Sequence, residues 1–128
     1  MKAVLAVCRE KAPKATIILM GIFPRNDNAQ NPVGVMPVIN KINGNLAQLA
    51  EGKKIRYLNI NDKLADKDGR LYDGVTMDRL HLSLKGYQIW ADALKSIFTE
   101  LLGPPAKDDH APPPTGDPSA AKKPAAAG

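Results

Sequence analysis

An aspartate and a histidine stand three residues apart in the run Asp78-Arg79-Leu80-His81-Leu82-Ser83-Leu84-Lys85-Gly86-Tyr87, where a polar stretch gives way to an apolar helical pattern. An Asp at that spacing can fold back onto an imidazole. Its carboxylate would accept the Nδ1 proton, fix the tautomer and stabilise the imidazolium, leaving Nε2 to take a proton from a hydroxyl nucleophile. The same spacing also suits an Asp that caps a turn beside a His bonded to some other neighbour. Candidate nucleophiles are few. Ser83 reads as a helix cap, Ser96 falls in mid-helix, and Ser119 lies in a Pro/Ala-rich stretch. Cys8 is the single cysteine, so it makes no intrachain disulfide. With His81 and His110 as its only histidine companions, it builds no Cys-based zinc cluster. No Gly-rich phosphate loop occurs.

The elements that must hold Asp78 and His81 are legible from apolar spacing. Residues 1–11 read as a helix ended by Pro13, with Val4, Val7 and Cys8 on one face. Residues 16–22 form a continuous, β-branched apolar run, as expected of a parallel strand buried on both faces. Residues 26–33 make a polar loop, in which Asn26, Asn28 and Asn31 follow the strand on its active edge and read as loop residues. A second helix is predicted over 35–51, with Val35, Val38, Ile39, Ile42, Leu46 and Leu49 at helical spacing and Gly44 as a weak point. A second strand follows over 55–60, then mostly loop over 61–82. The last helix starts after Ser83 and stops at Gly103-Pro104. Tyr87, Trp90, Leu94, Ile97, Phe98 and Leu101 are its predicted buried stripe.

Alternation of helix and strand implies a layered α/β fold with parallel strands. Two strands are too few to cover the run at 16–22, so the chain reads as the C-terminal part of a larger α/β domain. Loops that follow strands at the C-terminal edge of such a sheet are where α/β enzymes place their chemistry.

The block D-x-L-H-L-S-x-x-G-Y, followed by an amphipathic helix with Trp90 and Ala91, resembles the last conserved block of the SGNH/GDSL hydrolase family. The stretch from Pro13 to Arg25 is similar to that family's "P-x-A-x-I-x-L-x-G-I-x-P-R" strand. Val38-Ile39-Asn40-Lys41-Ile42-Asn43 fits its next helix. The nearest subgroup is the esterases resembling platelet-activating-factor acetylhydrolase, and the likeness runs in register over about residues 1–102. It implies a three-layer α/β/α, flavodoxin-like fold with an incomplete sheet. It also implies His81 as catalytic base, Asp78 as its orienting acid, a small-molecule acyl ester of lipid or carbohydrate as substrate, and no metal or organic cofactor. The family's nucleophilic serine sits in a G-D-S block and its oxyanion donors in the blocks that follow, and no Gly-Asp-Ser occurs here. A His–Asp pair without its nucleophile cannot carry covalent acyl transfer. The lineage therefore reads as a serine esterase, and the chain alone as inactive. The alternative is a non-catalytic interaction or complementing module that docks on a partner.

Composition bounds the rest. The chain has 128 residues, 44% hydrophobic and 5% aromatic, which suits one small domain. Residues 103–128 hold seven of its 11 prolines and no Val, Ile, Leu, Phe, Tyr or Trp, so they are expected to form a disordered tail after a domain at 1–102. The net charge of +5 belongs to the domain, yet its basic residues are scattered and lack interleaved aromatics. No nucleic-acid partner is expected. No apolar run reaches the ~20 residues of a membrane span. Charges at Arg9, Glu10 and Lys11 cut short the apolar run, so Met1–Cys8 is expected to be helix and not a signal sequence, and a longer form is expected to be open to export.

Overall fold

The computed structural model describes residues 1–108. The elements are α1 (Lys2–Lys11), β1 (Ile17–Met20), α2 (Met36–Ala47), β2 (Ile55–Leu58), α3 (Asn61–Leu64) and α4 (Leu84–Leu102). β1 and β2 pair in parallel, with Ile17 opposite Ile55 and Met20 opposite Leu58. The fold is thus α/β, with a small open sheet of two parallel strands among the described residues. The expected tail at 103–128 lies outside the described residues from 109 onward.

Side chains alternate across a strand, so each face of the sheet collects its own core. On one face Leu19 and Ile55 meet Leu5 of α1 and Leu46 of α2, with Ile17, Leu49 and Tyr57 packed around them. On the other, Leu58 joins a cluster of Ile60, Leu64, Val75 and Leu82, to which α4 adds Ile89, Trp90 and Ala93. Phe23 stands edge-on to Trp90, with ring centroids 5.3 Å apart. Arg56, on the same face as Leu58, makes a two-pronged ion pair with Glu100 of α4, 2.7 Å at each prong. Helices therefore cover both faces, in three layers.

Several expectations change in detail. Leu5, rather than Val4, Val7 and Cys8, is the residue α1 buries; those three are exposed. Within 61–82 the chain makes one helical turn, α3, which inserts the fully buried Leu64. The stripe of α4 divides. Gly86, Ile89, Trp90 and Ala93 face the core, whereas Tyr87, Phe98 and Leu101 are exposed. Two strands about 4.8 Å apart are too narrow to cover an apolar stripe that wide. Tyr87 and Phe98 instead border an open groove of about 890 Å³ that runs beside Trp90 and Leu94 to Pro104 and Pro105. Val38 and Ile42 of α2, and Val35 at its N-cap, are exposed for the same reason, while Ile39 and Leu46 are buried.

Candidate active site

Asp78 and His81 lie at the tip of a loop whose two ends are fixed in the core. Val75 is fully buried and Leu82 nearly so. Thr76 and Leu82 pair as an antiparallel bridge, the Met77 N–H donates to His81 O at 2.9 Å, and the Ser83 N–H donates to Val75 O at 3.1 Å. The loop is thereby closed like a short hairpin. Ser83 then caps α4: its Oγ accepts from the Gly86 N–H at 3.2 Å and its hydroxyl donates to Gly74 O. This is the capping role its sequence position predicted.

At the tip, Asp78 uses both carboxylate oxygens. Oδ1 accepts from the His81 N–H at 2.7 Å and from the Leu80 N–H at 3.1 Å, and Oδ2 lies 2.7 Å from His81 Nδ1. The carboxylate that caps the turn thus also holds the imidazole, so the His81 ring meets Asp78 and not some other neighbour. The His81 backbone N–H, then its ring, then the Leu80 N–H stabilise the charged carboxylate and bring Asp78 down to about 2. With Nδ1 engaged, Nε2 is the ring nitrogen left for a substrate or nucleophile. The His81 side chain remains 66% exposed.

A second segment flanks the tip. Asn43 of α2 is buried and clamps the end of β1, its Oδ1 accepting from the Ile22 N–H at 2.7 Å and its Nδ2 donating to Ile22 O at 2.9 Å. Asn61 at the start of α3 donates to the same carbonyl at 2.9 Å. This fixes where the chain leaves the sheet. Beyond it, Arg25 grips Asp27 with two nitrogens, at 2.6 and 2.5 Å. That guanidinium holds the Asp27 carboxyl below its usual range, opposed in part by desolvation and, less, by the negative charge of Asp78. Between them, Asn26 turns inward and is 7% exposed. Asn28 caps a local turn, accepting from the N–H groups of Gln30 and Asn31. The inward turn of Asn26 was not expected, and nothing in a loop with three asparagines marks which one goes inside.

Beside the tip is a cleft of about 460 Å³ bordered by Asn26, Arg70, Tyr72, Asp73, Met77 and Arg79. It is smaller than the groove along α4, but its lining includes Met77 and Arg79, the chain neighbours of Asp78, whereas the groove includes no residue of the loop. Among the described residues no group of three or more His, Cys, Asp and Glu side chains is gathered as a metal would require, and no helix is long and apolar enough to cross a membrane.

Residues 1–89 match the model of the GDSL-like Lipase/Acylhydrolase family, and the chain belongs to that family. It is 28% identical over 103 residues to platelet-activating factor acetylhydrolase IB subunit alpha1 of Bos taurus and, equally, of Homo sapiens. Each match covers 80% of this chain and 43% of the relative. Among solved structures it resembles a platelet activating factor protein from Streptococcus pneumonia, with a TM-score of 0.61 and 25% identity. That match covers 75% of this chain and 47% of the other. The chain thus spans less than half the length of the relatives it matches.

Proposed function

We propose that this chain supplies the acid–base half of a serine-type acyl ester hydrolase. In this reading His81 is the general base, Asp78 orients it, and the nucleophilic serine and oxyanion donors come from a segment that these 128 residues do not include. The observation that carries the reading is the 2.7 Å contact between Asp78 Oδ2 and His81 Nδ1. A carboxylate held ionised beside Nδ1 keeps the imidazole in the tautomer that offers Nε2 as base, and stabilises the imidazolium once it has taken the hydroxyl proton. The serine oxygen then attacks the acyl carbonyl, and the imidazolium returns its proton to the departing alcohol. Water, activated by the same imidazole, releases the acid and restores the serine. The substrate in this reading is an acyl ester of a lipid or carbohydrate, and the relatives' name, platelet-activating factor acetylhydrolase, supports an acetyl ester.

The chain alone is expected to hydrolyse no ester faster than free imidazole does, because nucleophile and oxyanion stabilisation are both missing. The test is a chimera that carries the G-D-S-bearing segment of a relative ahead of Met1, assayed on p-nitrophenyl acetate. Turnover by the chimera that His81→Asn abolishes supports the proposal. Turnover that survives His81→Asn, or none in a folded chimera, overturns it.

A further inference from the structure

We propose that Asn26 is the positioning residue for the Asp78–His81 pair. It sits where three loops meet. Its Oδ1 accepts from the Leu71 N–H at 2.8 Å. The two hydrogens of its Nδ2 are shared among the carbonyls of Arg25 at 2.8 Å, Gly69 at 2.9 Å and Pro32 at 3.1 Å. Its main-chain N–H donates to Arg79 O at 2.8 Å. One buried side chain therefore fixes the loop after β1 and the turn at 66–71 relative to each other, and its own peptide carries that position to the loop tip.

The residue it grips is a strained one. Arg79 has φ 66, and it is the one non-glycine residue with positive φ among the described residues. For a side chain such as arginine the left-handed conformation is unfavourable and persists only where the surroundings impose it. Here that conformation sits between Asp78 and His81. It folds the chain back so that one carboxylate can meet the Leu80 N–H, the His81 N–H and the His81 ring together. Released from Asn26, Arg79 would relax toward negative φ and carry the carboxylate away from the ring.

A merely structural Asn26 would lower stability and leave the pair unaltered; a positioning Asn26 sets the state of the pair itself. The inference rests on the proposed role of Asp78 and His81, but its test needs no hydrolysis, so the two can fail separately. The Asp78 carboxylate carbon is followed by NMR through an acid titration of the isotopically labelled full chain. In the parent its midpoint is expected near 2, where the His81 N–H, the His81 ring and the Leu80 N–H hold the carboxylate. In Asn26→Ala the midpoint should rise by about one unit or more toward the ordinary aspartate value of about 3.9, and the His81 Nδ1 proton should broaden as water reaches it. Leu46→Ala, in the core on the opposite face of the sheet, should lower stability without moving either signal. If Asn26→Ala does not fold, Asn26→Ser carries the same test, since its shorter hydroxyl cannot span Leu71 and Gly69. An unmoved Asp78 midpoint in a folded Asn26 variant, or an equal shift in Leu46→Ala, overturns the inference.

Discussion

Gly86 and the Val75 carbonyl are in such close approach that a Cβ at position 86 would lie 2.2 Å from that oxygen. The first turn of α4 is thus seated directly on the backbone at the base of the site loop. Gly86→Ala must push the helix off that carbonyl, because a backbone atom cannot swing aside as a side chain can. We expect a loss of about 1–3 kcal/mol or more, read as a lower urea midpoint, together with weakened Asp78–His81 contact in NMR spectra. Wild-type stability in this variant would contradict the seating.

Gly44 is the opposite case. It lies exposed in the middle of α2, and a Cβ there would meet nothing within 4 Å. Gly44→Ala should stabilise the chain by about 1 kcal/mol, through helix propensity and a less flexible unfolded state. The check is an increased melting temperature with an unchanged urea m-value.

The Ser83 cap links α4 to the site loop through both a donated and an accepted bond. Ser83→Ala should cost about 0.5–2 kcal/mol, whereas Ser83→Asp, which keeps the acceptor for the Gly86 N–H but cannot donate to Gly74 O, should cost part of that. Equal losses in the two variants would show that the cap acceptor contributes nothing.

Asp78 also dictates an acid dependence. Its pKa is depressed in the folded state, to about 2. Its contribution to stability is therefore complete above the ordinary aspartate value of about 3.9 and is lost as pH falls through the folded value. Asp78→Asn should be less stable than the parent at pH 6, and the gap should close between about pH 4 and 2. A gap independent of pH over that window would mean that the carboxylate charge is not what holds the turn.

In the chimera proposed above, Asp78→Asn should reduce turnover on the order of 10⁴-fold, through the wrong imidazole tautomer. KM should change little, because Asp78 meets the imidazole rather than the ester. A rise in KM with turnover intact would reassign Asp78 to substrate binding.

The parts of this fold that one segment determines were readable in its residues. The apolar run behind β1 has no polar face to misassign, Ser83 and Gly103 bracket α4, and Asp78 and His81 interact within a single turn. Features decided by distant segments were not. α3 is too short to show a period, and it forms because Leu64 fills a hole made by Ile60, Val75 and Leu82. Val4 and Val7 fit a helical stripe as well as Leu5 does; only the position of Leu19, Leu46 and Ile55 selects Leu5. Tyr87 and Phe98 belong to the apolar side of α4, but the narrow sheet leaves them uncovered. Asn26 owes its burial to Gly69, Leu71 and Arg79, remote in sequence.

The single inward leucine of α1 has a further consequence. Leu5 is the one residue this helix buries, and its other tie to the body is the exposed ion pair of Arg9 with Glu51, a kind of contact that contributes little in water. The helix must therefore detach at a lower free energy than the rest of the chain unfolds. Its amides will exchange with solvent as one early group, ahead of those in β2 and α4. Within residues 1–102, a protease acting on the native protein will cut first near Lys11 and Lys14, and the piece it leaves will still carry the loop from Val75 to Ser83 intact.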